Sequence, residues 1–320
     1  MKKWMKQIGV AVLGTMAITA PALRADPLDL KNVPADSKWL IHLDMDAATK
    51  SAAWQPLYDH LQRNDDFENQ VGQVETMFNA HFPEDLHDVT LCGAEFGDGK
   101  GVLLVHAKVD RTRIEAGLAS NPDYANEAHG NHAILTWTDK GKTNYGGFYS
   151  DTLFIVGQDK SRVAATIDTL EGKSPSLTPD ATLAQGLAKQ GSLLAYVSGE
   201  DLAKLRQAQV AKSPLIAQMK SGWIELVENK DDMVLKVTVS AVDAATATKM
   251  KTAAEGIRSA LSLAAGEPDA KPGVKFLADL TSSAVASVNE NQVSVELHVP
   301  QKDVPALIDK IVALKSGRNP

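Results

Sequence analysis

The sequence predicts an α+β protein: antiparallel sheets built from repeated hairpin-helix units, helices on one face, arranged as two similar halves. Three observations predict it. Apolar and polar residues alternate at period two along the candidate strands, short Gly-, Asn- and Asp-containing turns join those strands in pairs, and each pair runs into a segment of helical spacing. Composition agrees: of 320 residues 44% are hydrophobic and 23% charged, which suits neither a disordered chain nor a membrane bundle. Alanine occurs 43 times against 17 aromatic residues, a mixture suited to short amphipathic helices rather than an aromatic-lined groove.

Taken in order, the elements begin with Trp39 to Asp46. There Trp39, Ile41, Leu43 and Met45 point one way, and Leu40, His42, Asp44 and Asp46 the other. The first set is expected on the core and the second toward water. Val102 to Val109 places His106 and Lys108 on one face. Met233 to Val239 sets Leu235, Val237 and Val239 against Lys236 and Thr238, and Val293 to Val299 sets valines and Leu297 against Ser294, Glu296 and His298. Gly97-Asp98-Gly99-Lys100, Asp139-Lys140-Gly141-Lys142, Asn229-Lys230-Asp231-Asp232 and Asn289-Glu290-Asn291 read as hairpin turns, where glycine and asparagine tolerate positive φ.

Helical spacing follows each hairpin. Ile114 and Leu118 come after Asp110, and Val163, Ile167 and Leu170 after Asp159. Met250, Ala254, Ile257 and Leu261 belong to a longer helix beginning near Asp243. Val304, Leu307, Ile308, Ile311 and Val312 follow Asp303. The aspartates are expected N-caps, because their carboxylates accept from the free N–H groups of a first turn. A coarser duplication relates Leu40 to Leu61 with Leu193 to Leu205, each a strand running into a helix. The break between the halves falls in Glu171 to Thr182, rich in proline, serine and threonine, which gives halves 26–178 and 179–320.

The N-terminus carries the address. Lys2, Lys3 and Lys6 precede thirteen uncharged residues from Ile8 to Ala20, then Ala20-Pro21-Ala22 and Ala25. A basic start, a short apolar core and a small-residue exit make residues 1–25 a secretory signal peptide, cut after Ala22 or Ala25. The apolar stretch is shorter than the ~20 residues of a membrane span. No cysteine lies near the exit for lipid attachment. The protein is therefore expected in the periplasm or outside the cell, with no integral span once the signal is removed.

Cleavage after Ala25 takes the net charge from −7 to −11, which disfavours nucleic acid and anionic membranes. A single cysteine excludes an internal disulfide, a thiolate zinc cluster and a CxxC redox pair; Cys92, in an apolar run, is expected to be buried and inert.

The sharpest chemical candidate is His42-x-Asp44-x-Asp46. Alternate strand residues share a face, so one imidazole and two carboxylates could serve a divalent ion or an acid–base pair. They stand ~7 Å apart, too far to share one ion unaided, and fit equally a solvated face ending in a helix cap. His42 and Asp44 are the metal candidates carried forward. His129-Gly130-Asn131-His132 reads as a surface loop, since it has neither the helix nor the glutamate of an HExxH site. His81, Glu84, Asp85, His87 and Asp88 read as a charged turn broken by Pro83. Gly97-x-Gly99-x-Gly101 joins strand to strand and is no dinucleotide fingerprint. No G-x-S-x-G, S-x-x-K, Walker A or EF-hand pattern occurs.

Val33-Pro34-Ala35-Asp36 followed by Trp39-Leu40-Ile41-His42-Leu43-Asp44 resembles the mature start of a family of exported bacterial proteins of unknown function. Asp85 to Gly93 (DLHDVTLCG) and Gly172 to Leu177 (GKSPSL) add to the resemblance, which covers nearly all the mature chain. It implies no catalytic residue. The sequence thus leads to an exported binding or scaffold protein of unknown ligand, with no catalysis, no cofactor and a protein partner in the envelope or beyond. The alternatives are a metal-dependent hydrolase around His42 and Asp44 and a structural envelope component.

Overall fold

The computed structural model describes residues 28–51, 53–187, 192–200 and 215–315. The expected signal peptide, and the part of Leu193 to Leu205 expected to be helical, lie outside them. The described chain forms two compact units, one of 28–49 and 58–185, the other of 50–57 and 186–315.

The first unit holds seven strands: β1 (Trp39–Asp44), β2 (Leu86–Gly93), β3 (Gly101–Ala107), β4 (Ala125–His129), β5 (His132–Asp139), β6 (Lys142–Phe148) and β7 (Leu153–Gly157). They lie in the order β1-β2-β3-β7-β6-β5-β4, each neighbouring pair antiparallel. Its helices are α1 (Met45–Ala48), α2 (Trp54–Gln62, divided between the units after Leu57), α3 (Asp65–Phe78), α4 (Arg111–Ala119) and α5 (Lys160–Leu170).

The second unit holds β8 (Ser192–Glu200), β9 (Met219–Glu228), β10 (Asp232–Ala241), β11 (Val285–Asn289) and β12 (Gln292–Pro300), in the order β8-β9-β10-β12-β11. Helices α6 (Ala244–Ala265) and α7 (Pro272–Thr281) precede β11, and α8 (Val304–Lys315) follows β12.

The two units take the same route. The first three strands are neighbours in chain order, helix precedes the later strands, and a later hairpin returns its last strand beside the third: β7 beside β3, β12 beside β10. The first unit inserts one extra hairpin, β4–β5. The α+β class and antiparallel pairing are those the alternation predicts.

Four helices start on the aspartate that ends or follows a strand. Asp44 Oδ1 accepts from Ala47 N at 2.8 Å, Asp110 from Arg113 N at 3.0 Å, Asp159 from Ser161 N at 2.9 Å and Asp243 from Thr246 N at 2.7 Å. Asp303, the expected cap of α8, instead closes a 3-10 turn (Gln301–Asp303) that runs directly into the helix. The backbone bond from Thr246 holds the Asp243 carboxyl below its ordinary range. Asp243→Ala should lower the urea midpoint at neutral pH, because the first turn of α6 loses its side-chain acceptor. An unchanged midpoint would show that the cap does not stabilise α6.

Three expectations about faces are corrected. In β1 the supposed solvent row is buried as well: Leu40 is 0% and His42 2% exposed, and of the expected core row Leu43 and Met45 are buried while Trp39 and Ile41 are half-buried. The register explains it. Leu40 pairs with Cys92 and that with Val102; His42 pairs with Thr90, then Leu104, then Ile155. All of these are buried. Helix α5 covers this face, since a Cβ on Gly157 would lie 3.1 Å from Val163 and one on Gly147 4.0 Å from Ile167. Second, helices of the first unit occupy both faces. Ile114 of α4 packs with Phe148 and Phe154, and Phe154 and Ile155 are consecutive strand residues that point to opposite sides. In the second unit α6 packs Ala247 and Met250 on Ala241, Val239 and Val293, while Thr238, expected toward water, is buried and shares a 2.8 Å hydrogen bond with Ser294.

Candidate functional site

His42 reaches only inward. Its Nδ1 lies 2.9 Å from Thr90 Oγ1, its Nε2 is buried without a partner, and burial lowers its pKa to about 4. Asp44 spends its carboxylate on the cap of α1. The two therefore present no open ligand set, and Asp46 points elsewhere. His106 and His298 each have carboxylate partners within their own unit. His106 bonds Asp88, whereas His298, in the second unit, sits 3.6 Å from Asp232 and 3.7 Å from Glu296.

The structure assembles a different group. In the β2–β3 ladder Leu86 pairs with Ala107 and Asp88 with His106, so His87 is the extra residue of a β-bulge. A bulge re-aims its side chain, which the strict alternation of a ladder would have sent to the opposite face from Asp88. The His87 and His106 rings stand 5.3 Å apart between centroids, tilted by 54°. His87 Nδ1 lies 3.2 and 3.3 Å from the two carboxylate oxygens of Asp46 on α1, and His106 Nδ1 lies 3.1 Å from Asp88 Oδ2. Burial pushes the Asp88 carboxyl up, opposed by the neighbouring His106 and His87. Sequence reasoning placed Asp46, His87 and Asp88, and His106, in three separate groups; nothing local signals the bulge that joins them.

The His129–His132 segment is the β4–β5 turn, with Gly130 at φ +60°, not a free loop. His129 Nε2 lies 2.9 Å from Asp168 and His132 Nε2 3.6 Å from Glu171, both at the end of α5. Lys173 also pairs with Glu171, and His132 stacks on Tyr149 at 4.9 Å. These contacts fasten the hairpin to α5. The Gly97–Gly101 segment is the β2–β3 turn, with Gly97 and Gly99 at positive φ, as expected.

The three stretches that carry the resemblance meet in space. Pro34 bridges Ser176, Ala35 N donates to Pro175 O at 3.1 Å and Leu177 N to Val33 O at 2.7 Å. Arg162 of α5 donates from Nη1 to both carboxylate oxygens of Asp36, at 2.6 and 2.8 Å, and from Nη2 to Ser37 Oγ at 3.0 Å. Cys92 lies against the same group: burial pushes its thiol up to about 11, opposed by the Arg162 charge and a Ser37 hydrogen bond. A neutral, fully covered thiol is no nucleophile. The convergence is a clamp on the entering chain.

In the second unit Glu225, Lys236 and Glu296 stand in register across β9, β10 and β12, with Lys236 Nζ 2.8 Å from Glu296. Burial raises the Glu225 carboxyl, and the Lys236 bond lowers that of Glu296. Among the described residues no group of three or more His, Cys, Asp or Glu side chains converges on a metal position, and no helix is long and apolar enough to cross a membrane.

Comparison with known proteins places these features in no named family. No family model and no curated protein sequence matches the chain. Among solved structures, crystal form III of TP0453 is similar at 10% identity and a TM-score of 0.47, covering 89% of this chain and 98% of that one. Crystal form IV gives 7% identity and a TM-score of 0.49, with 89% and 97% covered.

Proposed function

We propose that the chain is an exported binding or scaffold protein without chemistry of its own, acting in the periplasm or outside the cell on a protein partner. One observation carries this reading. All six exposed large hydrophobic residues among the described residues (Ile224, Val242, Ile257, Leu263, Leu277 and Val285) belong to the second unit. Leu263 is 77% exposed and Val285 61%. Helix α6, which carries Ile257 and Leu263, packs against α7, which carries Leu277, and against β11, which carries Val285. Strand β11 also borders the sheet of its unit, where backbone groups are open to an added strand. Exposed apolar side chains gathered in one unit, beside a sheet edge, suit a protein surface. The expected mature charge of −11 argues against an anionic membrane as the occupant.

A photocrosslinking residue at position 263 or 285, in protein produced in its native compartment, should capture a discrete protein partner. The same probe at the exposed Ala116 of the first unit should not. Equal capture at both places, or none at 263 and 285, would overturn the reading.

A further inference from the structure

We propose that His87 and His106 form a two-imidazole binding site for a late first-row divalent cation of the zinc, copper and nickel class. Three features of the pair point there, none of which the binding-protein reading uses.

The first is the outer shell. A metal-ligating histidine characteristically donates its second ring N–H to a carboxylate, which sets the tautomer and raises the basicity of the ligating nitrogen. Both rings have that arrangement, with Asp46 on Nδ1 of His87 and Asp88 on Nδ1 of His106. Each carboxylate therefore favours the Nδ1–H tautomer and leaves the Nε2 lone pair for a ligand. Among the described residues no hydrogen bond engages either Nε2. The turn histidines differ, because His129 and His132 direct Nε2 itself at Asp168 and Glu171.

The second is spacing. Two imidazoles bound through Nε2 at about 2.0–2.1 Å on a tetrahedral ion place their ring centroids roughly 5 Å apart. The observed separation is 5.3 Å. The third is access. The side chains are 37% and 45% exposed, so water can complete the coordination sphere that the protein leaves open. Imidazole donors suit zinc, copper and nickel, whereas magnesium and calcium prefer oxygen. The bulge at His87 is the structural device that creates the pair, since a regular ladder would send the two rings to opposite faces.

The test uses the untagged full mature chain with zinc or Cu²⁺ alone as probe. Calorimetry should give one Zn²⁺ per chain, and the electron paramagnetic resonance spectrum of one equivalent of Cu²⁺ should show hyperfine structure from two imidazole nitrogens. His87→Gln and His106→Gln should each abolish saturable binding and the two-nitrogen pattern. Asp46→Asn and Asp88→Asn, which keep both ligands, should weaken binding about 10- to 100-fold. His132→Gln should leave it unchanged. Urea midpoints of the four site variants check that the fold persists; the Asp46→Asn result stands independently, because Asp46 lies outside the strands. Absence of saturable binding, or binding that survives both histidine substitutions, would overturn the proposal. So would several equivalents bound with no effect of Asp46→Asn or Asp88→Asn.

Discussion

Gly147→Ala is expected to destabilise the first unit by about 3 kcal/mol, the upper end of what overpacking a well-filled site costs. A Cβ at Gly147 would stand 2.4 Å from the carbonyl oxygen of Ala133, a backbone atom that cannot rotate away. β6 cannot retreat either, because it is hydrogen-bonded to β5 on one side and β7 on the other. The sheet must open locally, and Ile167 of α5, 4.0 Å from the same position, limits movement toward the helix. Gly72→Ala on α3 provides the contrast. Nothing lies within 4 Å of its Cβ, so the change should stabilise by about 0.5–1 kcal/mol through helix propensity. Urea unfolding of both variants decides the matter. A Gly147→Ala midpoint equal to that of the unsubstituted protein would show that the close approach of β5 and β6 is not tightly held.

Acidification should produce the second large effect, through His42. Its folded-state pKa is lowered to about 4 from the ordinary 6.5 by burial, so between those values the unfolded chain binds a proton that the native one excludes. The stability tied to the neutral ring is full above about pH 6.5. It is lost progressively as pH falls, and the loss is complete near pH 4. Each pH unit between the two values is worth about 1.4 kcal/mol, which brings the loss to about 3 kcal/mol. His42→Gln removes the titration. Its stability deficit relative to the unsubstituted protein, measured in urea at pH 7.5, should therefore shrink by about 3 kcal/mol at pH 4. Carboxylates that also titrate there contribute to both proteins and cancel in the difference. Parallel stability–pH curves for the two proteins would refute the assignment.

The same residue shows where sequence reading stops. Alternation in Trp39–Asp44 identifies two faces, but both carry apolar residues, and the pattern cannot say which one a helix will cover. Leu40 and Ile41 are equally apolar; register with Cys92 and Val102 decides that Leu40 is the deeper. β4 escapes for a related reason. Four of its five residues are exposed and the fifth is half-buried, so it has no apolar row to reveal it. β7, a short continuous apolar run (LFIVG), has no alternation to mark it as a strand rather than a stretch of buried helix. The candidate cation site was legible only as fragments, with His87 and Asp88 in one charged turn, Asp46 at the end of β1 and His106 on another strand.

The hairpin turns, the four aspartate caps of α1, α4, α5 and α6 and the α+β class follow from the sequence alone. Each depends on φ preferences and hydrogen bonds spanning a few residues, which neighbouring side chains decide. Tertiary structure alone decided which face of β1 is core, where the bulge turns His87, and that three distant motifs form one clamp. Those outcomes rest on contacts such as His87–Asp46, His42–Thr90 and Arg162–Asp36, which lie 41, 48 and 126 positions apart. Pairings at that separation are set by the register of the whole sheet, and no local pattern encodes them.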